Sequence, residues 1–167
     1  MKRPFMTLMT VVAVALATAV AAWADRPDKS PAPGFAGAFA AGVVCPFALS
    51  VEPIVDGASA TTHYDKQGDI RWIHGSGPLV YRYTNDDTGT SVDLNISGPG
   101  KQTEGADGLI HVDGTGPWSL VFFPGDSPSS TALYLKGHLH FTVDPTDGTL
   151  TLVSHTGTVE NICDMLD

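Results

Sequence analysis

His138 and His140 carry the most chemically suggestive spacing in the chain. Residues i and i+2 on a strand project to the same side, so two imidazoles placed this way can share a metal ion. A third ligand would come from another strand, with His155 or His111 available. Against this, the alternation around them puts Leu139 and Phe141 on the opposite, buried side, which turns both rings toward solvent. His138 and His140 are therefore weak metal candidates, and no metal site is expected. The carboxylates read similarly. Asp86 with Asp87, Glu104 with Asp107, and Asp144 with Asp147 fall in turn segments, where a carboxylate caps backbone N–H groups and stays hydrated. A glycosidase pair would instead need two carboxyls facing each other across a cleft. The sequence holds no G-x-S-x-G elbow, no phosphate-cradling glycine loop, no H-E-x-x-H and no D-x-D-x-D-G calcium loop. No catalytic residue and no cofactor are expected.

Aromatic side chains are the stronger lead. Trp72, Tyr81, Tyr83, Trp118, Phe122, Phe123 and Tyr134 gather in sequence around two related segments, GSGP at Gly75 to Pro78 and GTGP at Gly114 to Pro117. Glycines inside a strand pattern mark a bulge, or a corner where a strand crosses between sheets. If both bends line one mouth, Trp72, Tyr81, Tyr83, Trp118, Phe122 and Tyr134 form a candidate ligand-binding set around it. Small barrels either hold one small ligand or fill with side chains.

The elements that position these residues are strands. Leu133, Leu135, Leu139, Phe141 and Val143 alternate with Tyr134, Lys136, His138, His140 and Thr142 over Leu133 to Val143, a period of two with one buried face. Val92, Leu94 and Ile96 repeat the pattern, as do Leu79, Tyr81 and Tyr83. Further strands are predicted over Pro46 to Glu52, Ala58 to Tyr64, Ile70 to His74, Leu109 to Asp113, Trp118 to Phe123 and Thr149 to Val159, with one helical turn over Glu160 to Leu166. Gly68, Gly108 and Gly148 are evenly spaced, and each opens a strand after a polar tetrad (DKQG, GADG, PTDG). That is the chemistry of tight turns, so neighbouring strands are expected to run antiparallel.

Residues 1–24 place these elements outside the cytoplasm. Lys2 and Arg3, an apolar run from Met6 to Val20, and then Ala22, Trp23 and Ala24 follow the order of a secretory signal peptide, with cleavage expected after Ala24. Asp25 to Gly42 is rich in Pro, Ala and Gly and reads as a flexible linker or loosely packed arm, although Phe35 and Phe39 could share one face of a short helix. The remainder, from Val43 on, is one β domain. Cys45 and Cys163, the only cysteines, are expected to form one disulfide in an oxidising compartment. All 18 acidic residues follow the leader, whereas two of the nine cationic ones lie within it. So acidic a surface repels phosphate backbones and anionic headgroups, so neither nucleic acid nor, after cleavage, a membrane is an expected partner.

With the cysteines near the two ends of the β domain, a bridge between them would seal the seam of a closed sheet. The expected architecture is an antiparallel up-and-down meander of about eight strands forming a closed or nearly closed barrel, with a two-sheet β-sandwich as the alternative. The segments RWIHGSGPLVYRYTNDDTGTSVDLNISGPG, DGTGPWSLVFFPGD and HTGTVENICDML resemble a group of small secreted proteins of high-GC Gram-positive bacteria without an assigned activity. The resemblance implies export, one β domain and a single disulfide, and brings no catalytic residues.

The leading expectation is a monomeric, secreted, non-catalytic barrel that binds a small apolar or amphipathic ligand, or a cell-envelope component. The alternatives are a barrel-type hydrolase or isomerase using Asp and His from different strands, and a structural or adhesive envelope module with an exposed apolar patch.

Overall fold

The structure, a computed structural model, describes residues 26–167. The expected leader lies outside the described residues. These form twelve strands and one short helix: β1 Asp28–Pro31, β2 Gly37–Phe39, β3 Leu49–Asp56, β4 Ser59–Tyr64, β5 Ile70–Ser76, β6 Leu79–Asn85, β7 Ser91–Asn95, β8 Gly100–Glu104, β9 Ile110–Phe122, β10 Thr131–Val143, β11 Leu150–His155, β12 Thr158–Asn161 and α1 Ile162–Met165. The larger sheet runs β1-β4-β5-β8-β9-β10-β11, with β12 also paired to β10, and the smaller runs β2-β3-β6-β7. Every pairing between these strands is antiparallel. The evenly spaced turn glycines do close hairpins: Gly68 joins β4 to β5, Gly108 joins β8 to β9, and Gly148 joins β10 to β11.

The closed up-and-down barrel is not what forms. The larger sheet stops at β1 on one side and at β11 and β12 on the other, and the chain passes back and forth between two sheets instead of circling one. The two-sheet alternative fits. Four differences explain the miscount of strands. β8 is polar, with Lys101, Gln102 and Glu104 exposed, so it shows no apolar period. β9 continues straight through GTGP, merging two predicted strands. The segment Thr149 to Val159 breaks at Thr156 and Gly157 into β11 and β12, both of which pair with β10. Finally, the arm expected as a linker contributes one strand to each sheet: β1 pairs with β4 and β2 with β3. Phe39 lies in β2 rather than on a helix, and its ring stacks on Phe35 at 6.1 Å.

Two apolar clusters result. The first lies between the sheets and joins Leu49 and Val51 of β3, Tyr81 and Tyr83 of β6, and Leu94 of β7 to Ala132 and Tyr134 of β10 and to Ile162, Cys163 and Leu166. The second packs Val112, Leu120 and Phe122 of β9 with Leu135, Leu139 and Phe141 of β10, bordered by Leu150 and Leu152. β10 thus has two buried faces over Ala132 to Leu135, and on its even side burial returns only at Thr142. The odd face expected to be buried is buried at Leu135, Leu139 and Phe141 and half-buried at Leu133 and Val143. Tyr134, placed by the period on the solvent face, is instead covered by the smaller sheet, whereas Lys136 and His138 beyond it are exposed. The β9–β10 loop folds back over the second cluster. Ser127 N–H donates to the Leu150 carbonyl at 2.9 Å, Leu152 N–H donates to that of Ser127 at 2.7 Å, and Asp126 accepts from Leu150 N–H at 2.8 Å.

Cys45 and Cys163 are joined, with their Cα atoms 5.5 Å apart. The bridge seals no barrel seam. It fastens the segment entering β3, in the smaller sheet, to α1, which follows β12 in the larger one. In the chain-entropy description a loop closed over a sequence separation of 118 is worth about 4 to 5 kcal/mol. A disulfide of this kind suits a compartment outside the cytoplasm. Among the described residues no helix is long and apolar enough to cross a membrane.

Candidate functional site

The chain crosses between the sheets four times: from β1 to β2 after Ala32, from β3 to β4 at Gly57 and Ala58, from β5 to β6 at Gly77 and Pro78, and from β7 to β8 through Ile96 to Pro99. Backbone hydrogen bonds hold these crossings together. Ala32 N–H donates to the Ala58 carbonyl at 3.0 Å, and Gly57 N–H to that of Pro78 at 2.9 Å. Gly98 N–H donates to Pro117 at 2.9 Å, and Thr115 N–H to Pro99 at 3.0 Å. All four crossings open onto one cleft of about 250 Å³, to which they contribute Ala32, Ala58, Gly77 and Gly98. Leu79, Ile96 and Trp118 supply its larger apolar surfaces, and Ser76 and Ser119 lie at its edges.

Trp118 occupies a bed without side chains. A Cβ at Gly100 would stand 2.5 Å from Cζ2 of the indole, and one at Gly114 would stand 2.8 Å from Cε2. Gly98 is closed to a side chain by the same ring. Three glycines from two chain segments therefore let the indole lie flat on the sheet, where Nε1 donates to the Thr115 carbonyl at 3.3 Å. The first glycine of GTGP thus makes room for a ring.

Of the six candidate aromatics, Trp118 alone lines this cleft. Tyr81, Tyr83 and Tyr134 lie in the inter-sheet cluster and Phe122 in the second cluster. The hydroxyls of Tyr83 and Tyr134 join the two sheets, and that of Tyr81 holds the arm. The Tyr83 hydroxyl donates to Ser119 Oγ, the Tyr134 hydroxyl donates to the Asn95 carbonyl at 3.0 Å, and Tyr81 Oη accepts from the Phe35 N–H. Burial pushes the Tyr83 phenol up to about 12, partly offset by its bond to Ser119. Burial likewise raises Tyr81, against the opposing pull of the Phe35 N–H. Trp72 stands elsewhere on the larger sheet, stacked on His63 with ring centroids 3.5 Å apart and with Lys101 Nζ 5.6 Å from its own centroid.

His138 and His140 share the face of β10 opposite Leu139 and Phe141, and His111 of β9 lies on the same face. His140 Nδ1 bonds to Asp113 Oδ1 at 2.8 Å. Its other nitrogen faces His111 rather than His138, at 3.4 Å, and His111 Nε2 in turn meets both oxygens of Asp107 at 3.1 Å. Asp107 is held below the usual carboxylate range first by the Leu109 N–H and then by His111. His138 and His155 border the same shallow depression, beside Ser154. Among the described residues no group of three or more His, Cys, Asp or Glu side chains is arranged to hold a metal ion.

Sequence reasoning missed the cleft's aliphatic residues Ala32, Ala58 and Ile96, which carry no chemical label of their own. Their signal was the Gly and Pro punctuation beside each of them. Compared with family models, with curated proteins and with solved structures, the chain has no match.

Proposed function

We propose that the protein is a secreted, non-catalytic binding module that takes a small apolar or amphipathic group into the cleft beside Trp118. The observation that carries this reading is the convergence of four chain crossings on one apolar cavity with an indole in its wall. Ligand pockets are generally apolar with a few polar groups for orientation, and Ser76 and Ser119 would serve that purpose. At about 250 Å³ the cleft is smaller than the ~300 to 1,000 Å³ usual for drug-sized molecules, which points to a single ring or a short acyl segment, free or displayed by a cell-envelope component. Export rests on the leader and on the disulfide.

A Trp72→Phe variant of the exported protein tests this, because it leaves Trp118 as the sole tryptophan after Ala24. Titration with an anilinonaphthalene dye should give saturable energy transfer from Trp118, abolished by Ala58→Leu, which fills the cleft. A response that does not saturate, or one that Ala58→Leu leaves unchanged, would refute the reading.

One observation favours the adhesive alternative. Phe35 and Phe123, 61% and 40% exposed, flank a second, wholly apolar depression with Phe39, Val51 and Val121. Exposed apolar patches of this kind mark contact surfaces. The hydrolase alternative draws less support. The imidazole nitrogen of His140 that would serve a nucleophilic hydroxyl faces His111 instead.

A further inference from the structure

We propose that His111 and His140 form a surface site for one transition-metal ion of the zinc class, independent of the apolar cleft. Antiparallel register sets His140 opposite Asp113 and Thr142 opposite His111, so the two histidines are diagonal neighbours on one face of the β9–β10 pair. Each ring is tethered by its outer nitrogen to a carboxylate, His111 Nε2 to Asp107 and His140 Nδ1 to Asp113. A carboxylate accepts, so each neutral ring carries its N–H on that outer nitrogen. The inner nitrogens, Nδ1 of His111 and Nε2 of His140, are then left with lone pairs that face each other at 3.4 Å. With both rings neutral, two acceptors at that distance repel unless an electron-poor centre, a shared proton or a metal ion, lies between them.

The spacing matches a metal. Zinc binds imidazole nitrogen at about 2.0 to 2.1 Å with tetrahedral angles, which sets two such nitrogens about 3.3 to 3.4 Å apart. The carboxylates complete the pattern, because metal-bound histidines ordinarily donate their other N–H to a carboxylate that fixes the tautomer and the ring orientation. Gly105 clears the space for one of these pairs: a Cβ there would stand 2.6 Å from His111 Nε2 and collide with the Asp107 carboxylate. Two imidazoles leave the remaining coordination positions to water, so the site is open and of modest affinity. The sequence pattern pointed to His138 as the partner of His140. The partner that the register supplies is on the neighbouring strand.

Calorimetric titration of the exported protein with zinc chloride, alongside long-range ¹H–¹⁵N spectra of the imidazoles, tests the site. The expected result is one ion per chain, with Nδ1 of His111 and Nε2 of His140 shifting together. His111→Ala and His140→Ala should each weaken binding at least tenfold, His138→Ala should leave it unchanged, and Asp113→Asn should weaken it by about 10- to 100-fold. The spectra need no variant, so the proposal stays testable if a substitution unfolds the chain. Absence of binding at millimolar zinc, ring nitrogens that respond to pH but not to zinc, or binding unaffected by His140→Ala would each overturn it.

Discussion

GSGP and GTGP differ by one residue and do different work. In the first, Gly77 and Pro78 carry the chain from β5 in the larger sheet to β6 in the smaller. In the second, the chain never leaves β9, and Gly116 lies opposite Gly137 of β10 within an unbroken ladder. The difference comes from the neighbours. β10 pairs with β9 along its whole length and holds it straight through the glycines, whereas the pairing of β5 with β8 covers only Ile73 to Gly75 and leaves Gly77 free to turn away. A short glycine motif thus grants local freedom to the backbone, and the strand alongside decides how that freedom is used. The two regions nevertheless meet, since Gly77 of the first motif and Trp118, the residue after the second, line the same cleft.

Substitutions should separate the two copies. The largest effect is expected at Gly77, which has φ +127°, and where a Cβ would run into the Gly57 carbonyl and stand 3.0 Å from Ala58 Cα. Neither neighbour is a side chain that can move, so Gly77→Ala should cost about 3 to 5 kcal/mol in urea unfolding. Next comes the burial of Tyr83, in the strand that follows the first motif, where its hydroxyl reaches Ser119 of β9. With its folded pKa raised to about 12, Tyr83 adds stability that is complete below pH ~10 and fades as the pH rises toward 12, because the unfolded phenol ionises first. That fall, on the order of 2 to 3 kcal/mol, should be largely absent in Tyr83→Phe when unfolding is measured from pH 9 to 12. Gly116→Ala should cost less, about 1 to 2 kcal/mol, because φ is +83° while the nearest atom to the added Cβ is 3.5 Å away. Gly75, with open space around it and no positive φ, should tolerate alanine or gain about 0.5 to 1 kcal/mol. Equal costs at Gly77 and Gly116 would break the distinction between corner and straight strand.

Much of the strand content was legible because alternation survives wherever one face is buried, as from Leu133 to Val143. What escaped was the information held by partners. The polar β8 is a strand only because β5 and β9 flank it. The arm from Asp25 to Gly42 has no period of its own, yet β4 and β3 supply the hydrogen bonds that extend it. Tyr134 obeys the alternation but sits where a second sheet covers the supposedly wet face. The cysteine pairing was readable from count and compartment, whereas its meaning was not, since a bridge between the ends of the β domain suits a barrel seam and an inter-sheet staple equally well. The same holds for the candidate rings. Aromatic type marked core and cleft alike, and only the glycine bed separates Trp118 from Tyr83.

The most direct test follows backbone amide shifts while a small apolar probe such as indole is titrated into the ¹⁵N-labelled protein. Saturable shifts confined to Ser76, Gly77, Ile96, Gly98, Trp118 and Ser119 are predicted, all at one dissociation constant. Shifts centred instead on Phe35, Phe39 and Phe123, or none at saturating probe, would contradict the cleft as the binding site.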